Sequence, residues 1–217
     1  SMFRPKHISD DLDYIKDIKN LKQSDFYFLC VSDDEILNVS EKLEISEKVV
    51  IHLSGAVDIE VLSKHQNHGV IYPLQTFSYE GNLSFKETPL LIEANNKKTL
   101  RKIDNLTKLF SNKIRRMNSK NRLICHLSGT IANNFSNHMI AVAEKILKSN
   151  NIDVELIRPL ILQTFEKLQV MSALDAQTGP AARNDKKTIS KHIELLNESD
   201  FLHLYIEITK NIKSNEL

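Results

Sequence analysis

The chain has no apolar run of about eighteen residues and no signal-peptide hydrophobic region, so a membrane-spanning helix is not expected and the cytoplasm is the expected location. Cys30 and Cys125 are its two cysteines. Both fall among apolar neighbours and read as small buried hydrophobes in a reducing compartment, not as a disulfide framework. Neither sign of charge is in excess: 29 basic residues face 28 acidic ones, which leaves no broad footprint for nucleic acid. The cluster Lys113, Arg115, Arg116, Lys120 and Arg122 reads as a solvated surface. The five glycines are Gly55, Gly69, Gly81, Gly129 and Gly179, and no two are spaced for a G-x-G-x-x-G turn or a P-loop. A pyrophosphate cradle of the usual kind is therefore not encoded.

What is present is an ordinary globular composition, 41% hydrophobic and 26% charged over 217 residues, enough for one large domain or two small ones. After a polar start, Tyr14 to Gln23 reads as a short helix. Phe26 to Val31 is apolar throughout and predicts a strand buried on both faces. Ser32 to Glu35 then caps a helix ending near Leu43. The cycle repeats with a strand over Lys48 to Leu53, a helix from about Asp58 to Asn67, a strand over Gly69 to Tyr72 and another over Pro89 to Ala94. This α-β alternation predicts an open, mainly parallel sheet with Ser32, Ser54 and Pro73 on one carboxyl-end rim, where such sheets bind ligands.

From Lys97 a helix runs to Phe110, followed by a short edge strand over Asn112 to Met117. Everything beyond is helical. The expected division is an α/β domain over residues 1–118 and a helical domain over residues 119–217. Ser119 to Asn150 reads as one helix, with Leu127, Ile131, Phe135, Met139, Val142 and Ile146 forming an apolar ridge. Ser128, Ala132 and Ser136 form a row of small residues beside it, where a second helix can approach. Further helices are expected over Asp153 to Ser172, with Pro159 kinking it or marking a later start, over Asp185 to Asn197, and over Ser199 to about Lys213.

Two constellations carry candidate chemistry. Asn134, Asn137 and His138 share one flank of the long helix, where unpartnered amides and an imidazole are costly to bury. That flank either lines a polar cleft or is satisfied by other buried polar groups. His138 can move a proton near neutrality, and Asn134 one turn away can orient a carbonyl or hydroxyl. The second is the loop Ala173 to Asn184, whose Gln177, Thr178, Gly179 and Arg183 either face the cleft or cap the next helix. His65-x-x-His68 has no third ligand positioned to complete a metal set, and no metal is expected. His52 reads as a hydrogen-bonded core residue, and His126 and His192 carry no signal singly.

The segments HLSG (52–55), YPLQTF (72–77), NNFSNHM (133–139) and AQTGPAARND (176–185) resemble a bacterial family of Rossmann-like proteins with a helical C-terminal domain. That family is described as NADP oxidoreductases of the deazaflavin-dependent type, related to 6-phosphogluconate dehydrogenase and pyrroline-carboxylate reductase. The resemblance spans about residues 10 to 213. It implies a partial Rossmann-like sheet followed by a 6-phosphogluconate-dehydrogenase-like helical domain, with NADP as cofactor. It also implies hydride transfer to a small polar substrate and a homodimer formed through the helical domain. Ser32, Asp33, Ser54 and Gly55 would flank the nicotinamide-ribose end. Asn134, Asn137, His138, Gln75, Gln177, Thr178, Gly179 and Arg183 would surround the substrate, with His138 and Asn134 catalytic and Arg183 holding a carboxylate. Asp25 onward resembles the family's fourth strand, so the glycine-rich β-α-β unit is expected to be missing, and with it the usual phosphate site. The alternative reading is a non-catalytic dimeric small-molecule-binding or scaffold protein with a vestigial cleft.

Overall fold

The computed structural model describes residues 17–77 and 84–214. Five strands, β1 (Phe26–Leu29), β2 (Val49–His52), β3 (Asn67–Pro73), β4 (Leu90–Ala94) and β5 (Ile114–Arg116), form one sheet in the order β1-β2-β3-β4-β5. β1, β2 and β3 are mutually parallel, β4 is antiparallel to β3, and β5 is parallel to β4. The helices are α1 (Ile36–Lys42), α2 (Lys97–Thr107), α3 (Ser119–Gly129), α4 (Ser136–Ser149), α5 (Arg158–Lys167), α6 (Lys186–Leu195) and α7 (Leu202–Ser214). Among the described residues no helix is long and apolar enough to cross a membrane.

Strand alternation sends successive side chains to opposite faces, and each face has its own cover. Val49 and Ile51 join Ile71, Leu90 and Ile92 on one face, under Ile103 of α2. Val50 and Leu29 lie on the other with Ile36, Leu43 and Leu62. α2 starts where Asn96 accepts the Thr99 N–H at 2.8 Å, an N-cap that satisfies an otherwise orphaned donor. Gly69 lets β3 pass beneath this cover: a Cβ there would stand 2.4 Å from both the Glu93 carbonyl oxygen and Ile103 Cδ1.

The expectation of an open, mainly parallel sheet followed by helices holds, and several local expectations do not. The expected helix over Tyr14 to Gln23 lies partly outside the described residues, and within them only Ile18–Asn20 makes a 3-10 turn. Among the described residues β1 is an edge strand, paired with β2 alone, and Phe28 and Cys30 are exposed instead of buried. Ser32 precedes a 3-10 turn without a side-chain cap. The helix expected from Asp58 shortens to a 3-10 turn over Ile59–Leu62, because Asn67 onward is taken up by the ladders to β2 and β4. Pro159 marks a later start, sitting in the first turn of α5.

The long helix carries a change of hydrogen bonding. Between α3 and α4, Thr130–Phe135 is a π-helix. The chain separates into two compact units inside this segment, residues 1–134 and 135–217, whereas composition suggested a boundary near residue 118, just past β5. In the second unit, Val142, Ala181 and Ile189 are buried apolar residues, while Leu160, Leu162 and Phe165 of α5 and Leu168, Val170, Met171 and Leu174 after it are exposed.

Candidate functional site

A pocket of about 350 Å³ lies in the first unit, within the range of small-molecule sites. β3 supplies Tyr72 near its carboxyl end, the following loop supplies Gln75 and Thr76, α3 supplies His126, and the π segment supplies Thr130, Asn133 and Asn134. Pairing of Val50 with His68 and His52 with Val70 puts His52 and Tyr72 on one sheet face, and pairing of Val70 with Glu93 adds Glu93. These three polar side chains receive α3.

The foot of α3 is fixed by charge. Arg122, 1% exposed, pairs with Glu93 and donates to the Val57 carbonyl. Glu93 also accepts from the Ser119 N–H at 2.9 Å and the Ser119 hydroxyl at 2.8 Å, while Ser119 Oγ accepts from the Ile59 N–H at 3.1 Å. Arg122 therefore belongs to the interior and not to the solvated basic surface expected of its neighbours. One turn later on the same helix face comes His126. Its Nδ1 lies 3.1 Å from Tyr72 Oη, with the rings edge to face. Burial raises the Tyr72 phenol above its ordinary value, and the Cys125 and Asp33 charges add to this, so it stays protonated at neutral pH.

Gly55 explains how this pair fits. A Cβ at that position would lie 2.7 Å from Tyr72 Cζ and 2.8 Å from His126 Nδ1. Only a residue without a side chain leaves room for both rings. Ser54 Oγ accepts the backbone N–H groups of Ala56 and Val57, both at 3.0 Å, and so holds the turn. His52 is fully buried, its Nδ1 accepting the Ser54 N–H at 3.2 Å and its Nε2 without a partner. Burial, then the Arg122 charge, lowers its pKa to about 4, against an opposing pull from Asp58 and Asp33. His65 Nε2 lies 3.1 Å from Ser40 Oγ, and His68 Nδ1 donates to the His65 carbonyl at 2.7 Å, so both rings are engaged by the protein.

The expected site residues fall in different places. Gln75 and Asn134 line the pocket. Ser54 and Gly55 stand at the rim beside it and are occupied by the turn and the ring pair, while Ser32 and Asp33 are exposed after β1. Asn137 and His138 are exposed on α4, and Gln177, Thr178, Gly179 and Arg183 belong to the loop before α6. Gly179 has a φ of +102°, the left-handed region that favours glycine. Asp185, not one of these loop residues, caps α6 by accepting the Thr188 N–H at 3.1 Å. Thr178 lines a separate apolar cavity of about 270 Å³ with Met139, Val142, Phe201 and Tyr205. Tyr72, Thr76, His126 and Asn133 are among the pocket residues that sequence reasoning did not single out.

Open sheet and helical unit together define a Rossmann-like protein with a helical C-terminal part. Residues 88–212 match the model of the family described as a domain of unknown function (DUF2520), and the protein belongs to that family. A solved structure from Bacteroides fragilis, described as a "putative NADP oxidoreductase", is similar at 28% identity and a TM-score of 0.85, over 93% of this chain and 80% of that one. A Thermotoga maritima protein is similar at 22% identity and a TM-score of 0.78, over 90% of this chain and 80% of that one. Pyrroline carboxylate reductase from Plasmodium falciparum, solved with NADP bound, shares the fold at a TM-score of 0.55 and 15% identity, over 97% of this chain and 86% of that one. No curated protein matches the chain.

The residues present meet a dinucleotide only in part. Ser32 and Asp33 leave the carboxyl end of β1 open to one. Ser54 Oγ already accepts two backbone donors, and the space above Gly55 is filled by Tyr72 and His126. Among the described residues no glycine-rich turn stands at a strand end, so no pyrophosphate cradle is formed by them.

Proposed function

We propose that this protein acts within an oxidoreductase family on a small polar substrate held in the pocket between Tyr72, Gln75 and the π segment. The observation that carries this reading is the convergence of polar groups at the carboxyl-end rim of an open sheet, where such folds place their ligands. Likeness to a B. fragilis protein described as a "putative NADP oxidoreductase" supports NADP as the cofactor. A homodimer through the helical unit belongs to the same reading, supported by the exposed Leu160, Leu162 and Phe165 on opposite sides of α5.

A second reading is favoured by one observation: Ser54 and Gly55, the rim positions expected to meet the cofactor, are used by the protein itself. In that reading the chain is a dimeric small-molecule-binding protein. Titration of the 217-residue chain with NADPH, followed by nucleotide fluorescence, separates the two. Micromolar binding supports the oxidoreductase. A folded chain that binds no nucleotide supports the binding protein.

A further inference from the structure

The pocket is lined by hydrogen-bonding groups whose orientation is set by the protein. The Thr76 backbone N–H can only donate, and it donates to Gln75 Oε1 at 2.8 Å. This turns the Gln75 carbonyl inward and leaves its NH2 as the outer end. Thr76 Oγ1 in turn donates to Asn133 Oδ1 at 3.0 Å, so that amide also has its acceptor occupied. Neither NH2 group has a protein acceptor among the described residues. Tyr72 adds an adjustable hydroxyl. When His126 carries its proton on Nδ1 it donates to the phenol oxygen, and the phenol O–H is released to donate elsewhere. No lysine, arginine, aspartate or glutamate is among the described residues that line the pocket.

We infer that this pocket takes an uncharged small molecule bearing a carbonyl or carboxamide oxygen, received by the Gln75 and Asn133 NH2 groups and the Tyr72 hydroxyl. A donor-rich wall matches an acceptor-rich ligand. A carboxylate would meet the same donors with no lysine or arginine in the lining to balance its charge, so it gains less on leaving water. This specificity rests on the pocket being the ligand site of the proposed function; it does not depend on a bound nucleotide.

A matched pair of lactams tests it: pyroglutamide, with a carboxamide, and pyroglutamate, with a carboxylate in its place. Each is titrated without nucleotide into the 15N-labelled chain, and the side-chain NH2 resonances of Gln75 and Asn133 are followed. The expected result is that pyroglutamide moves both resonances and binds about tenfold more tightly than pyroglutamate, the worth of one or two hydrogen bonds without a desolvated charge. Gln75→Glu, isosteric at an exposed position, replaces the donor by an anion and is expected to weaken pyroglutamide about tenfold without changing the backbone spectrum. Equal or tighter binding of pyroglutamate overturns the inference, as does silence of both amide resonances at saturating probe. Because no nucleotide is present, a failed NADPH titration leaves this result standing, and a failed lactam titration leaves the NADPH result standing.

Discussion

The two units of this chain bury apolar residues to different extents. In the α/β unit, Val49, Val50, Ile51, Val70 and Ile103 are fully buried, and each sheet face is closed by its own helices and turns. In the helical unit, Leu156 is 70% exposed, Leu162 63%, Val170 81% and Leu195 83%. A helix apolar on opposite sides is ordinarily buried on both. One unit completes a core by itself. The other carries the residues of a core and leaves many of them uncovered, which is the physical ground for proposing a second copy there.

The contrast can be broken from either side. The largest effect is expected at Arg122: Arg122→Ala leaves the partly buried Glu93 without its cation and should destabilise the protein by about 3–5 kcal/mol in urea denaturation. A loss below about 1 kcal/mol would mean that α3 is held by something other than this ion pair. Ile103→Ala opens a cavity between α2 and the sheet and should cost about 2–5 kcal/mol, independent of protein concentration.

Acid should act on the same unit. His52 titrates near pH 4 when folded and near 6.5 when unfolded, so the unfolded chain takes up its proton first. Its contribution is complete above pH 6.5 and is lost as pH falls through about 4, a change of about 3 kcal/mol. His65 is lowered in the same direction, chiefly by burial. Denaturation midpoints measured from pH 7 to pH 4 should show this decline, and His52→Gln should flatten it. An unchanged slope in the variant would assign the decline to other groups.

Gly55→Ala is expected to cost about 1–3 kcal/mol through overpacking and to push Tyr72 and His126 apart. The His126 ring 15N shifts report the separation directly; unchanged shifts would show that the ring pair tolerates the methyl group. The smallest intrinsic effect should be Leu160→Ala, within about 0.5 kcal/mol for an exposed side chain. Yet sedimentation velocity should show weakened self-association, which gives the comparison its sharpest form. If association were unchanged, α5 would not be the contact.

Strand β2 and helix α2 were legible because their local signals agree with their surroundings. Val49 to His52 is continuously apolar up to a buried histidine, and Asn96 sits where a cap is needed. β1 misled because an apolar strand reads the same at an edge as at a centre; only the sheet order distinguishes them. The 3-10 turn at Ile59–Leu62 has helical spacing, but pairing with β2 and β4 claims the residues that would have extended it. The π segment leaves no mark in a pattern of apolar residues three and four apart. Gln75 and Asn134 were found from their segments, whereas Tyr72 and His126 are 54 positions apart and meet only once the Arg122–Glu93 pair has set α3. Arg122 itself sits in a run of surface cations, and nothing local separates it from them. The one available signal was Gly55, a glycine directly after a buried strand, whose missing side chain marks a close approach.

The antiparallel β4 has a consequence for how such a protein can change over generations. Pro73 pairs with Leu90, and the Leu74 N–H meets the Pro89 carbonyl at 2.9 Å, so the segment between them leaves the sheet and returns to it at the same rim. Its ends are stitched together regardless of its length. Doubling a flexible loop costs only about 0.6 kcal/mol in closure entropy. Insertions between Thr76 and Thr88 can thus redraw the wall beside Tyr72 while strand register and the cover of α2 are inherited intact. Variation of that wall has a ready route there, separate from the inheritance of the fold.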